Sequence, residues 1–210
     1  MRLQTLIEGR WIFFAVAVLG WLGLYFGQLW LAILAGLLFL FCLNFFRDPD
    51  RPVPPGDEVV VAAADGVVDA ILEIEETEVV KTRCRRVSIF LSVFDVHVNK
   101  APIDGKIVYR QHHPGLFLDA RDAACSEKNE ALTWAFEGAK ATLVVRLLTG
   151  AIARRIVPWS QVGDTVSKGF RFGMIRFGSR TEVYLPLDAE VTVKVGDKVK
   201  GAETVIAKLK

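Results

Sequence analysis

Residues 11 to 46 carry no charged side chain. Drawn as a single helix, this stretch would reach about 54 Å, well past the roughly 30 Å hydrocarbon core of a bilayer, so one straight span fits poorly. Two short spans fit better. Gly27-Gln28 divides the run into Trp11 to Phe26 and Leu29 to Phe46, each near the lower length limit for crossing, which predicts a tight transmembrane helical hairpin. A shallow re-entrant hairpin is the alternative. Arg2 and Arg10 precede the first span and Arg47 and Arg51 follow the second, so both flanks carry the cations that favour the cytoplasmic side. The expected location is the cell membrane, with the rest of the chain on its cytoplasmic face. A cleaved signal peptide would have a shorter apolar stretch and a small-residue cleavage site, so residues 1 to 51 are read as a retained anchor.

Residues 52 to 210 then make one domain, long enough for a core. A formal net charge of +2 argues against a dedicated nucleic-acid surface. The local cluster Arg83, Arg85 and Arg86 suits either anionic lipid headgroups or a solvated loop. Cys42, Cys84 and Cys125 are far apart and lack metal-ligand spacing; free thiols in a reducing compartment explain them.

Short Val-, Ile- and Phe-rich stretches recur between Gly, Pro and Asp: Glu58 to Ala63, Val87 to Val98, Lys106 to Tyr109, Ala141 to Leu147, Arg180 to Pro186 and Glu190 to Val195. Helical periodicity beyond the anchor is confined to Ser126 to Trp134 and Thr149 to Ile156. A Val-Gly-Asp-x-Val turn occurs twice, at Val162 and at Val195, each leading into a short apolar stretch. Such turns resemble those of barrel-sandwich domains, with Asp65-Gly66 and Asp104-Gly105 expected as hairpin turns facing them. The expected fold is mainly β, barrel-sandwich-like, with few short helices. A biotin-carrier role does not follow, because no Met-Lys-Met triplet occurs.

Three segments combine polar groups with an unusual setting. In Ser88 to Pro102, read as a strand, Ile89, Leu91 and Val93 share a face with Asp95, His97 and Asn99, as if the strand left a core and entered a cavity or water. His112-His113 precedes Pro114-Gly115 without a carboxylate or cysteine at a recognised zinc spacing, so no metal site is expected, and a substrate-facing loop or a solvated turn remains. In Gly173 to Arg180, Gly178-Ser179 is either a strand bend or a reactive bond. Glycine lets the backbone bring the following hydroxyl towards the preceding carbonyl, and an activated Ser179 Oγ could then convert that amide into an ester. Elimination and hydrolysis of the resulting dehydroalanine would leave a pyruvoyl group.

Together these segments resemble the phosphatidylserine decarboxylase family, in its short two-span form. The resemblance rests on Phe45-Phe-Arg-Asp-Pro49, Ala63-Ala-Asp-Gly66, Ser92-Val-Phe-Asp-Val-His-Val-Asn99, Pro114-Gly-Leu-Phe117, Ser126-Glu-Lys-Asn-Glu130, Ala151-Ile-Ala-Arg-Arg-Ile156 and Arg171 to Ser179. It implies a proenzyme that cleaves itself at Gly178-Ser179 into subunits of residues 1 to 178 and 179 to 210, which stay associated, with Ser179 becoming the pyruvoyl cofactor. The amine of phosphatidylserine would form a Schiff base with that group, lose carbon dioxide and leave as phosphatidylethanolamine. Asp65 matches an acidic residue of a Ser-His-Asp arrangement in longer family members. His97 matches the first histidine of a His-x-x-His pattern whose second position is Lys100 here, so either His97 or another group activates Ser179. His113 is a candidate for the substrate pocket. The implied partners are phosphatidylserine and the anionic membrane surface, with homo-oligomerisation left open. The competing readings are a non-catalytic membrane-tethered binding module and a decarboxylase of another serine-headgroup lipid such as archaetidylserine.

Overall fold

The computed structural model describes residues 3–151, 155–176 and 179–210, and the chain divides into two units, Met1–Asp50 and Arg51–Lys210. The first is a helical hairpin. Helix α1 (Leu3–Tyr25) and helix α2 (Leu29–Phe45) flank a turn in which Gly27 takes φ +69°. The helices approach closely where they lack bulk: a Cβ on Gly23 would lie 2.8 Å from the Ala32 nitrogen, and one on Gly20 would lie 3.3 Å from the Ala35 Cβ. Phe13 packs edge-on against Phe39 at 5.5 Å and tilted against Phe46 at 5.7 Å. Trp11, Trp21, Leu24, Trp30 and Leu37 point outward, the inverse of a water-facing helix pair. By length and composition α1 is able to cross a membrane over Gln4–Tyr25, whereas α2, at 17 residues, is shorter.

The second unit is mainly β. Its strands are β1 (Val59–Val61), β2 (Gly66–Glu76), β3 (Thr82–Leu91), β4 (Val98–Lys100) and β5 (Gly105–His113), followed by the single helical turn α3 (Cys125–Lys128). After it come β6 (Ala131–Glu137), β7 (Thr142–Thr149), β8 (Arg155–Pro158), β9 (Thr165–Val166), β10 (Arg171–Arg176), β11 (Ser179–Pro186), β12 (Glu190–Val191), β13 (Lys198–Val199) and β14 (Val205–Lys208). A curled eight-stranded sheet has the order β13-β2-β3-β11-β7-β6-β5-β9, accompanied by the three-stranded sheets β4-β10-β8 and β1-β14-β12. The inner face of the large sheet closes on a core centred on Trp134, Phe136 and Phe172, with ring centroids 5.0 and 5.1 Å from Phe172.

The two Val-Gly-Asp turns are structural copies. Gly163 and Gly196 take φ +99° and +95°, the conformation glycine adopts without a Cβ clash. Asp164 Oδ2 accepts the Gln161 N–H at 2.8 Å, and Asp197 Oδ2 accepts the Lys194 N–H at 3.0 Å. The strands that follow, β9 and β13, pair with β5 and β2 at the two borders of the large sheet. Asp104 and Asp65 also correspond: Asp104 Oδ1 accepts the Lys168 N–H and Asp65 Oδ1 the Gly201 N–H, both at 2.9 Å. Asp65-Gly66 and Asp104-Gly105 therefore face the repeated turns, but each leads into a strand instead of closing a two-residue hairpin.

Four expected elements differ; the strand expected over Glu190 to Val195 is confined to Glu190–Val191, and Val195 already belongs to the Gly196 turn. Ser126 to Trp134 is helical only to Lys128. Asn129 ends the turn by donating from Nδ2 to the carbonyls of Leu118 at 2.9 Å and Thr149 at 2.8 Å, and β6 follows. From Ala131 to Phe136 every residue of β6 is buried, so the usual strand alternation of apolar and polar residues is absent. Of Thr149 to Ile156, Thr149 closes β7 and Arg155 opens β8, while Ile152, Ala153 and Arg154 lie outside the described residues. The expected single strand Val87 to Val98 breaks at Leu91, because Asp95 Oδ2 accepts from Ser92 N at 2.8 Å and Ser92 Oγ at 2.7 Å and folds the chain into a turn.

Candidate active site

Strand β11 lies in the middle of the large sheet, and its first residue is Ser179. Ser179 is opposite Leu91 on one side and Thr149 on the other, and is fully buried. Side chains alternate along the strand, so Ser179 and Thr181 share the inner face with the core residues Val183 and Leu185. Ser179 Oγ has no hydrogen-bond partner among the described residues. An unpaired buried hydroxyl costs stability, and such atoms concentrate where chemistry needs them. Gly178, the other half of the expected scissile bond, lies outside the described residues.

The His97 segment approaches the inner face of β11 at Thr181. Asn99, fully buried, donates from Nδ2 to Thr181 Oγ1 at 2.9 Å, which places the segment under the start of β11. His97 is also fully buried, with Nδ1 3.0 Å from the Asp95 carbonyl, and its own carbonyl accepts the Ile175 N–H at 3.2 Å. Strand β10, which contains Ile175, ends at Arg176, three residues before Ser179. Lys100 is buried too, and its backbone N–H donates to the Ala63 carbonyl at 2.8 Å.

Asp65 stands at the same end of the sheet, just before β2. Two strand spacings separate β2 from β11, on the order of 10 Å. Its carboxylate is engaged by the Arg51 guanidinium through both oxygens and by the Gly201 N–H. His113 is at this end too but three strands away, at the close of β5, where its Nε2 is 3.1 Å from Glu78 Oε2, a charge-pair separation without hydrogen-bond alignment. It lines neither of the cavities beside β11.

The outer face of β11 carries a polar network that sequence reasoning missed. Arg180 is held by Asp69 and donates to Ser126 Oγ at 3.3 Å. Glu182, fully buried, accepts from Ser126 Oγ at 2.6 Å and from Tyr184 Oη at 2.8 Å, and lies 3.5 Å from Arg86. Burial pushes the Asp69 carboxyl above the usual carboxylate range against the pull of Arg180, and burial together with the Glu182 charge raises the Tyr184 phenol. The alternating polar residues of Arg180 to Tyr184 look like an exposed face; only their partners, 54 to 111 residues away, bury them.

Two cavities open beside this end of β11. One, about 250 Å³, lies between Phe90 to Val93, Asp119 to Arg121 and Gly150-Ala151, next to the residues paired with Ser179. The other, about 340 Å³, shares Phe90 and Arg121 with it and includes Asp69, Arg86 and Arg180. In the first, hydrogen bonds from Arg121 hold the Asp119 carboxyl at about 2.

The family model for phosphatidylserine decarboxylase matches residues 38–207. The chain belongs to the phosphatidylserine decarboxylase family. It is similar to proteins named phosphatidylserine decarboxylase proenzyme from Symbiobacterium thermophilum (46% identical, covering 100% of this chain and 98% of that protein) and Carboxydothermus hydrogenoformans (43%, 97% and 95%). A third, from Syntrophus aciditrophicus, is 43% identical over 84% of each chain. The similarity to the Symbiobacterium thermophilum protein runs over both the helical hairpin and the β unit.

Proposed function

We propose that this chain is a proenzyme that cleaves itself between Gly178 and Ser179 and then decarboxylates phosphatidylserine to phosphatidylethanolamine at the cytoplasmic face of the cell membrane. The observation that carries the proposal is Ser179: a buried serine heading the central strand of a family member, with its Oγ in no hydrogen bond among the described residues. In the cleavage, Oγ attacks the Gly178 carbonyl and its proton passes to the departing amide nitrogen, so an ester replaces the amide. Loss of the Ser179 Cα proton then expels the residue 178 carboxylate, and water releases ammonia from the dehydroalanine end.

The same position suits the resulting pyruvoyl group, since Asn99 and Thr181 line the inner side of β11 with polar atoms and Asn99 Oδ1 has no hydrogen-bond partner among the described residues. A pyruvoyl carbonyl supplies an electron sink for the pair released when carbon dioxide leaves. His97 is the proposed acid/base, moving a proton at the Ser179 Oγ or at the carbon that loses carbon dioxide. Asp65 is proposed to fix this end of the sheet through Arg51 and Gly201. His113 stands as a contributor to the wider substrate surface. The anchor, residues 1 to 51, would hold residues 52 to 210 at the lipid surface.

Residues 179 to 210 supply β11, hydrogen-bonded between β3 and β7, together with β13 on β2 and β14 on β1. This weave supports two fragments that remain one folded unit after cleavage. The test is carbon dioxide release from phosphatidylserine vesicles by the full chain, with a denaturing gel of the same sample. Two fragments with turnover are expected; an uncleaved chain without turnover under those conditions rejects the proposal.

A further inference from the structure

Leu91, Ser179, Thr149, Ala131 and His113 are strand termini that together mark one end of the large sheet. The loops leaving this end carry apolar tips. Phe94 is 68% exposed and Leu116 55% exposed. Neither tip is on a slack loop: Asp95 closes the turn around Phe94 onto Ser92, and Leu116 exchanges backbone hydrogen bonds with Lys128 and Glu130 at 2.7 and 2.9 Å. The 250 Å³ cavity beside the Ser179 register opens between these two loops. At the same end Arg155, exposed, faces Arg176 across β8 and β10, adding positive charge.

We infer that this rim inserts into an anionic lipid surface, with Phe94 and Leu116 entering the headgroup boundary and the cavity between them receiving the headgroup. Exposed apolar tips beside cations are the composition that binds such a surface. Ser179 is closed in by β3 and β7, so a lipid reaching it must arrive from this end. The inference rests on the proposed lipid substrate, and its test is chosen to be read without turnover.

The native cysteines are all buried, so an environment-sensitive label attached to the full-length Phe94→Cys protein reports one place. Lys140→Cys, in the exposed hairpin between β6 and β7 at the opposite end, is the control. In phosphatidylglycerol-rich vesicles whose acyl chains carry bromine near the headgroup, the label at 94 should lose most of its emission and the label at 140 should keep it. Equal quenching at the two positions, or none at 94, overturns the inference. As a second measurement, Phe94→Ser with Leu116→Ser should lower turnover of vesicle phosphatidylserine by about tenfold while leaving monomeric short-chain phosphatidylserine unaffected. Equal loss on both substrates, or none on either, again overturns it. Failure of the decarboxylase reading would appear instead as an unaltered chain that releases carbon dioxide from neither substrate, with the quenching still readable.

Discussion

Glu182 should be the most costly surface-type residue to remove from this domain, because it is not on the surface. Its Oε1 accepts from Ser126 Oγ at 2.6 Å and lies 3.5 Å from Arg86, and its Oε2 accepts from Tyr184 Oη at 2.8 Å. Glu182→Ala removes the acceptor for these donors and leaves the Arg86 guanidinium, 12% exposed, without its carboxylate. Breaking one side of a buried pair costs about 3–5 kcal/mol. For a unit the size of Arg51–Lys210, each kcal/mol moves the unfolding midpoint by roughly 2–4 °C, so a fall of about 6–20 °C is expected. Glu182→Gln keeps the shape and one acceptor oxygen but loses the charge, for about 1–3 kcal/mol and roughly 2–12 °C. The assay is thermal unfolding of the full chain in detergent, with Ser179→Ala in the parent and both variants so that cleavage does not break two-state behaviour. The expected order of midpoints is parent, Gln, Ala. An Ala variant within about 2 °C of the parent would refute the reasoning, since Glu182 would then be a bystander.

Gly66 takes φ +150°, and a Cβ there would fall 2.0 Å from the Phe90 carbonyl oxygen, so Gly66→Ala must force β2 from β3. A loss of about 4 kcal/mol or more is expected in the same scan, and a neutral result would contradict the close approach. Burial raises the Cys84 and Cys125 thiols, leaving little thiolate at pH 8. A disulfide reagent should therefore react slowly with the native protein and with all three cysteines after denaturation; rapid native reaction at either residue would contradict their burial. His97→Ala should slow self-cleavage, or carbon dioxide release by cleaved protein, by about 10²-fold or more, and unchanged rates in both steps would remove His97 from the chemistry.

The helical hairpin was legible because 36 consecutive residues without charge leave few alternatives, and Gly27 marks a turn that halves them. The repeated turns were legible for a local reason as well: positive φ selects Gly163 and Gly196, and the following aspartates close their own turns. What the sequence concealed depends on distant partners. Strand β6 has both faces covered and so shows no period, which allowed a helical reading through Trp134. Asp95 looked like one more residue on a strand face, yet its bond to Ser92 ends the strand and redirects the chain towards His97. Asn99 was visible as a companion of His97 on one face, but its bond to Thr181, 82 residues away, was not. Arg180 and Glu182 fall in an expected strand, but the partners that bury them, Asp69, Ser126 and Arg86, lie 54 to 111 residues away and leave no local signal.

Whether Ser179 becomes the reactive carbonyl is tested most directly by mass spectrometry of the purified full-length protein. The expected result is a fragment ending at residue 178 and another beginning at 179 whose first residue has the mass of a pyruvoyl group in place of serine, both lost in Ser179→Ala. A single chain of 23.3 kDa from actively expressing cells, unchanged by Ser179→Ala, would contradict it.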